Sequence, residues 1–476
     1  MRAVTLPADL IPIPPEAAEL GAVFGAAGHE LHLVGGTVRD ALMGRTNEGA
    51  VADLDFTTDA RPDTVLAVVG PLAQATWTTG IEFGTIGAQV GVRMCEITTF
   101  RADRYDRVSR KPEVVYGDTL AEDLRRRDFT MNAMALSVTG DRLFSDPFGG
   151  LADLVRGVLR TPGTPEQSFA DDPLRMLRAA RFAATLGVSV APEVQAAMTA
   201  MAAELGRMTA ERIQAELAKL LLAAVPRRGL ELLVESGLAD VVLPELPALR
   251  MAADEHGQHK DVYAHTLQVL EQAIDLERAA DEPADLTLRW AALLHDIGKP
   301  ATREFAPGGR VTFHHHEVVG ARLARQRLKE LRCSKQLVDN VGQLVLLHLR
   351  FYGYRDGEWS DSAVRRYVVD AGPLLPRLHR LVRSDCTTRN KRKAAALSVA
   401  YNTLEARIAE LGAREELEAI RPDLDGNEIM TILGIAPGRL VGQAYQHLLA
   451  LRMEHGPLGH DRAVEELTRW YAEQGH

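Results

Sequence analysis

Asp53 and Asp55 stand two residues apart in Asp53-Leu-Asp-Phe-Thr-Thr58, a run whose alternation predicts a strand. Residues two apart in a strand share a face, so both carboxylates can meet one pair of hard cations. Two such cations would acidify an attacking hydroxyl and neutralise a reacting phosphate, as two-metal phosphoryl transfer requires. Alone the pair is weak, because such pairs often line a solvated strand end. Upstream, Gly35-Gly36-Thr37-Val38-Arg39-Asp40 puts two glycines where a strand expected at 31–34 turns into a helix. Backbone N–H groups there can approach a triphosphate; an ordinary glycine turn with a solvated Arg39 is the plainer alternative.

Two other segments carry chemistry. Asp171-Asp-Pro-Leu-Arg-Met-Leu-Arg-Ala-Ala-Arg181 starts like a helix, with an aspartate cap and Pro173 in its first turn. Asp172 and Arg175, three apart, then face the same way. A carboxylate beside a guanidinium accepts from and donates to cytosine and adenine, whereas uracil and guanine meet it acceptor to acceptor and donor to donor. An intrahelical ion pair is the plain reading. Further on, Leu286 to Leu294 is apolar nearly all round, so an ionised Asp296 after it needs a cation or a partner.

The ordered runs Leu33-Val-Gly-Gly-Thr-Val-Arg-Asp40, Asp53-Leu-Asp-Phe-Thr-Thr58 and Arg126-Arg-Asp-Phe-Thr-Met-Asn-Ala133 resemble the successive motifs of the class II tRNA nucleotidyltransferases, the CCA-adding enzymes and their poly(A) polymerase relatives. The resemblance implies that Asp53 and Asp55 are catalytic and bind Mg2+. It also implies that Gly35, Gly36 and Arg39 meet the nucleotide, Arg127 touches phosphate, Asp128 accepts from the ribose 2′-hydroxyl and Asn132 supports the triphosphate. Glu96 is a weaker candidate for a third acidic ligand and equally a salt-bridged strand residue. Asp172 and Arg175 match the family's Glu-Asp-x-x-Arg base template, with Asp171 in place of its glutamate; Arg178 and Arg181 continue along the helix to meet phosphates or brace the template. Thr209-Ala-Glu-Arg-Ile-Gln-Ala-Glu216 is also family-like and is expected to support that helix.

Bacterial poly(A) polymerases of this class carry a basic signature after the metal motif, whereas Thr79-Gly-Ile-Glu-Phe-Gly-Thr-Ile86 is neutral to acidic and looks like the CCA branch. Enzymes that add only the two cytidines lack part of a loop between the metal and ribose motifs. Residues 101–120, with Tyr105, Asp106, Arg110 and Pro112, look like that loop retained. The expected reaction is therefore attack of a tRNA 3′-hydroxyl on the α-phosphate of CTP, twice, then of ATP, releasing pyrophosphate. A poly(A) polymerase of the same class, a phosphohydrolase with a vestigial head and an RNA-binding scaffold are the alternatives.

His265, then His295-Asp296, then Asp385 resemble the ordered ligands of the HD metal-dependent phosphohydrolases, with Gly298-Lys299 following the doublet. His316 and His348 would supply a second metal, though His314 and His315 compete with His316. The resemblance implies hydrolysis of phosphate mono- or diesters and 2′,3′-cyclic ends. Imidazole with carboxylate suits several transition metals or Mg2+, so the ion stays open.

The elements that must position these groups change texture along the chain. Strands are expected over the first 150 residues, at 31–34, 53–58, within 85–99 and at 133–138; from Asp171 onward, Ala/Leu/Arg/Glu segments at helical spacing dominate. The fold class is multidomain α+β: a mixed-sheet head, polymerase-β-like by the resemblance, then an all-helical neck, HD domain and tail. The divisions are 1–160, 161–250, 251–388 and 389–476. Pro376 to Lys393 carries seven Arg or Lys against one Asp, a local cationic patch, and Pro422 to Arg439 with Val441-Gly-Gln-Ala resembles the family's tRNA-holding tail.

Composition sets the outer limits. A chain of 476 residues with 46% hydrophobic content can bury several cores, and a net charge of −10 rules out a broadly basic coat, so nucleic-acid contact must be local. Three cysteines with no Cys-x-x-Cys pair favour a reducing compartment over a zinc cluster or disulfide scaffold. No run of about 18 apolar residues occurs, and Met1 to Glu16 has neither a basic head nor an apolar stretch. A cytoplasmic protein with no membrane span is expected.

Overall fold

A computed structural model describes residues 4–5, 11–45, 53–104, 113–117, 119–251, 261–305, 311–355, 359–388, 390–415 and 420–474. Tyr105, Asp106, Arg110 and Pro112 of the expected loop, and Arg389 of the basic run, lie outside the described residues. The chain divides into two compact units, Met1–Val242 and Leu243–His476.

The strands of the first unit are β1 (Val4–Thr5), β2 (Leu31–Val34), β3 (Leu54–Thr58), β4 (Ala75–Trp77), β5 (Thr85–Val90), β6 (Arg93–Thr99), β7 (Arg101–Arg104), β8 (Glu113–Tyr116), β9 (Ala135–Ser137) and β10 (Leu143–Ser145). The hairpin of β7 and β8 stands by itself. The others form one mixed sheet in the order β1-β10-β9-β2-β3-β6-β5-β4. Its one parallel pairing, β3 with β6, sets Asp55 opposite Glu96. Leu54 and Phe56 of β3, Cys95 and Ile97 of β6, and Ile86 and Ala88 of β5 are buried in one core. The larger of these side chains, Leu54, Phe56, Ile86 and Ile97, each contribute roughly 1.5–3 kcal/mol by leaving water. With those positions committed inward, the pleat turns Asp53, Asp55 and Glu96 outward, and all are exposed. The stretch at 133–138 gives only β9, because its approach is taken by a short 3-10 turn at Thr130–Asn132.

The template segment departs from its expected form. Helix Pro165–Asp171 ends before Asp172, and a new helix, Leu174–Leu186, begins after Pro173. Asp172 is extended at φ −143°, ψ 98°, as the ring of a following proline favours. The aspartate is therefore a hinge between helices, where an intrahelical pair with Arg175 does not form. Met176, Ala180 and Ala183 are buried at helical spacing, which leaves Arg175, Arg178 and Arg181 on one face. That helix packs on helices Ala210–Leu221 and Pro226–Glu235.

In the second unit, helix Val262–Ala279 is capped by Asp261, whose carboxylate accepts from Tyr263 N, and helix Leu286–Leu294 by Asp285, which accepts from Thr287 N and Leu288 N. These caps fix His265 early in one helix and His295 at the end of the other, around a core that includes Trp290 and Leu294. Gly298 is required by proximity: a Cβ there would stand 2.1 Å from the His316 carbonyl oxygen, so only glycine lets helix His316–Glu330 approach. The end of the chain has its own apolar cluster, including Leu424, Ile429, Leu448 and Leu467. After residue 157 the regular elements among the described residues are helices except for the two-residue strands Val158–Leu159, Ser189–Val190, Glu304–Phe305 and Val311–Thr312. No helix among the described residues is long and apolar enough to cross a membrane.

Candidate functional site

Gly35 brings the first site together. Its φ of +70°, open to glycine, starts helix Gly36–Leu42. A Cβ at this residue would stand 3.3 Å from Arg127 Nη1 and 3.5 Å from Asp55 Oδ2. A backbone turn, a guanidinium and a strand carboxylate thus converge on one point. The surrounding protein raises the Asp55 carboxyl above the usual range even though the residue reaches solvent; Asp53 adds to the rise, while Arg127 and Arg178 oppose it. Glu96 is raised too, first by the protein that displaces part of its water and then by Asp55 and Asp53. Asp55 and Glu96, both raised with Asp53 beside them, are a face that a cation relieves.

Behind this face lies a charged network. Asp128 is buried; its Oδ1 accepts from Phe129 N at 2.8 Å and Asn132 Nδ2 at 2.9 Å, and its Oδ2 accepts from Arg178 Nε at 2.8 Å. Burial would raise its pKa, but Arg178 and Asn132 outweigh burial and hold it below the usual range. Asn132 Oδ1 accepts from Arg39 Nη1 at 2.7 Å, and Asp40 takes the other side of that guanidinium. Arg39 is accordingly buried and paired, not solvated. Arg181 donates to Glu216 at 2.7 Å, and the Phe182 ring lies under the guanidinium carbons of Arg39, Arg178 and Arg181 at 5.2, 5.7 and 4.1 Å.

Asp172 and Arg175 have other partners in place of each other. Arg175 Nη1 donates to Ser168 Oγ at 2.8 Å, and Nη2 donates to the Arg126 carbonyl. Asp172 Oδ1 accepts from Leu174 N at 3.2 Å, and Oδ2 accepts from Arg212 Nη2 at 2.9 Å. Segment 209–216 thus braces this hinge and helix through Arg212 and Glu216. Arg212 was not singled out in the sequence; its position in that segment, four residues before Glu216, was the available signal.

The second unit holds a denser set. His265, His295 and Asp385 form one group of donors, and Asp296, His316 and His348 another, each with its atoms within 4.8 Å of one another. Asp296 lies between the groups: Oδ2 is 3.5 Å from His265 Nε2 and 3.1 Å from His295 Nε2, and Oδ1 is 3.2 Å from His316 Nε2 and 4.0 Å from His348 Nε2. His295, His316 and His348 each donate Nδ1–H to the backbone carbonyl three residues earlier, at 2.9, 2.8 and 2.6 Å. A carbonyl only accepts, so Nδ1 carries a proton and each ring turns Nε2 inward. Nε2 of His316 and of His348 is buried without a hydrogen-bond partner. An imidazole Nε2 facing a carboxylate oxygen at 3.2 Å offers a place for a cation, and divalent metals fit this donor set.

Protonation agrees. Burial and neighbouring His295 hold His348 down at about 4, leaving it neutral. Burial opposes ionisation of Asp296, but His295, Lys299 and His316 hold it far below the usual range; Asp385 is likewise lowered, against burial, by His265 and His295. Among the adjacent candidates, His316 is buried in the cluster while His314 and His315 are exposed. Tyr352, which donates to Asp385 Oδ2 at 2.9 Å, and Thr387, whose hydroxyl lies 3.0 Å from His265 Nδ1, went unremarked in the sequence. Only the fold brings them to the ligands.

Comparison with known proteins covers both units. Residues 31–160 match the Poly A polymerase head domain, 187–249 the probable RNA and SrmB-binding site of polymerase A, and 262–410 the HD domain. The chain is 36% identical over 450 residues to the A-adding tRNA nucleotidyltransferase of Deinococcus radiodurans, covering 93% of this chain and 95% of that one. It is 37% identical over 449 residues to a CCA-adding enzyme of Streptococcus gordonii, covering 94% of each. The Bacillus stearothermophilus CCA-adding enzyme, solved with CTP, superposes with a TM-score of 0.69 at 25% identity over 97% of this chain and all (100%) of that one.

Proposed function

Since the chain belongs to the family of tRNA nucleotidyltransferases that contains the A-adding and CCA-adding enzymes, we propose that it completes tRNA 3′ ends with C, C and A, taken from CTP and ATP. The observation that carries this reading is the meeting of Gly35, Arg127 and Asp55 at one point, with Glu96 beside Asp55 in register. Asp53 and Asp55, with Glu96 as a third acid, are assigned to Mg2+. When bound, the ions neutralise charge on the reacting phosphate and acidify the attacking hydroxyl.

Backbone N–H groups at Gly35 and Gly36 approach the triphosphate, and Arg127 adds positive charge there. Asp128, held ionised by Arg178 and Asn132, accepts from a ribose hydroxyl that a deoxynucleotide lacks. Arg39 and Asn132 form the floor behind them, and Arg178 and Arg181 brace the template helix. Asp172 accepts from the exocyclic amine of C or A while Arg175 donates to the adjacent ring nitrogen, so U and G leave buried groups unpaired. The partners are tRNA, CTP and ATP. The finer division into head (1–160), neck (161–250), HD domain (251–388) and tail (389–476) belongs to this reading, as does a cytoplasmic address; three free cysteines suit its reducing conditions.

A second activity is supported by the paired donor sets of the second unit: metal-dependent phosphohydrolysis, with His265, His295 and Asp385 holding one ion and Asp296, His316 and His348 the other.

The deciding experiment supplies CTP and ATP to tRNA lacking CCA and, separately, to tRNA ending in CC, and sequences the products. CCA on the first substrate is expected. Addition of A to the second alone would make this an A-adding enzyme, and a run of A would make it a poly(A) polymerase.

A further inference from the structure

The histidine–aspartate cluster opens into a cleft of about 630 Å3 whose lining includes Lys299 and Lys393. The two ammonium groups differ in what holds them. Lys299 Nζ sits 2.6 Å from Asp296 Oδ2 and is bound into the cluster. Lys393 lines the cleft with no ion pair to a carboxylate among the described residues.

Its position is set by the start of helix Lys391–Glu415. Asn390 Oδ1 accepts from the backbone N–H groups of Arg392 and Lys393 at 3.0 and 3.2 Å. Leu397, one turn further on, is buried and lines the same cleft. The i, i+4 relation therefore commits the Lys393 face of the helix to this wall. Thr387, on the segment leading into the helix, is already bonded to His265. The basic run that in sequence reads as a patch for tRNA thus turns one of its cations toward the second site.

An ammonium with no carboxylate partner, beside two donor sets for divalent cations, suits a doubly charged phosphate better than a singly charged one. Phe313, Leu349 and Leu397 add apolar lining able to pack an uncharged ring. We propose that Lys393 is the anchor for the substrate phosphate at this site, and that it gives the cleft a preference for phosphate monoesters on a nucleoside-sized group over diesters. The inference rests on the hydrolase reading above. In the reaction, water adds to phosphorus and the phosphorus–oxygen bond to the nucleoside breaks; the released alcohol takes a proton from that water, and inorganic phosphate leaves.

The test uses the full chain loaded with Mn2+, as wild type, Lys393→Gln and Lys393→Arg. Inorganic phosphate is titrated calorimetrically. Hydrolysis of adenosine 3′-monophosphate and adenosine 2′,3′-cyclic phosphate is followed in parallel, with KM for tRNA in nucleotide addition. Lys393→Gln should weaken phosphate binding and lower kcat/KM for the monoester by about tenfold or more, chiefly through KM. It should change the cyclic diester by less than about threefold, and Lys393→Arg should retain most of both. Equal phosphate affinity in wild type and Lys393→Gln would overturn the proposal. So would equal losses on both esters, or a raised KM for tRNA with hydrolysis untouched, which would return Lys393 to a tRNA patch. If the wild type hydrolyses neither ester with Mg2+, Mn2+, Co2+ or Ni2+, the hydrolase reading fails, and the phosphate titration alone then decides whether Lys393 holds the anion.

Discussion

The acidic face in the first unit and the histidine–aspartate cluster in the second offer a cation opposite surroundings. Asp53, Asp55 and Glu96 are exposed on one sheet face, share their repulsion and have no imidazole among them. Such a face holds hard ions loosely and is completed by the phosphates of its substrate. His295, Asp296, His316 and His348 are buried, with three of the imidazoles pinned by backbone carbonyls before any ion arrives. A pinned cage commits free energy in advance and holds its metal without substrate. On the proposed reading, the difference teaches that one chain can build a transient and a resident metal site by placing the donors at a strand surface or inside a helical core.

The comparison breaks most sharply if the sites depend on each other. Asp53→Ala or Asp55→Ala should lower CMP and AMP addition alike, by about two to three orders of magnitude or more, because several kcal/mol of charge stabilisation are lost. Hydrolysis of adenosine monophosphates by the same preparations should be unchanged. Near-normal CMP addition by either variant would remove the pair from the metal site.

The reciprocal experiment is Asp296→Asn beside Asp296→Ala. Both should abolish metal-dependent hydrolysis and leave nucleotide addition within about twofold. The alanine variant should also lower thermal stability, since breaking a buried ionic set costs about 3–5 kcal/mol. Equal loss of both activities in folded protein would mean the two regions are coupled.

A smaller effect sharpens the reading of the first unit. Asp172→Ala should narrow the preference for CTP and ATP over UTP and GTP by roughly tenfold, as a charge-assisted hydrogen bond contributes about 1.5–3 kcal/mol. Arg212→Gln removes a partner of the same carboxylate, but Arg212 is half exposed, so it should narrow the preference by only about two- to fivefold. Measuring kcat/KM for all four nucleotides separates selectivity from a uniform loss through helix disorder. An unchanged C-over-U ratio in Asp172→Ala would take that residue out of the template.

The smallest effect concerns pH. The Asp128 pKa is lowered in the folded state, against burial, by Arg178 and Asn132. Its stabilisation is therefore present above the ordinary aspartate range and fades as pH falls through the depressed folded value. Asp128→Asn should raise hydrogen-exchange rates in helix Leu174–Leu186 at pH 7, and the gap from wild type should close under increasing acid. A gap independent of pH would mean the ionised form contributes nothing.

What was legible in the sequence followed from local rules. The period of two in Asp53-Leu-Asp-Phe put both aspartates on one exposed face at the start of β3, and the first glycine after β2 marked a turn whose positive φ favours glycine. The apolar stretch before Asp296 called for a partner, and Asp296 proved to lie among imidazoles and Lys299. Where reading by spacing failed, a neighbour distant in sequence had intervened. Three-residue spacing suggested that Asp172 faced Arg175, but Pro173 extended the residue before it and Arg212 took the carboxylate. Spacing likewise could not choose His316 from three adjacent histidines; burial against Gly298 did.

By itself the sequence determined the kinds of donor, the order of the motifs and the faces on which strand and helix periodicity would present them, because these depend on bonds and hydrogen bonds within a few residues. Tertiary structure alone decided the partners. It set Glu96 beside Asp55 through a parallel pairing across 41 residues, and Thr387 beside His265 across 122. It divided six candidate ligands into two groups and turned Lys393 from a basic run toward a cleft. Those contacts form only when separate elements bury their apolar faces together. Packing has no signature in the spacing of the few residues that ultimately meet.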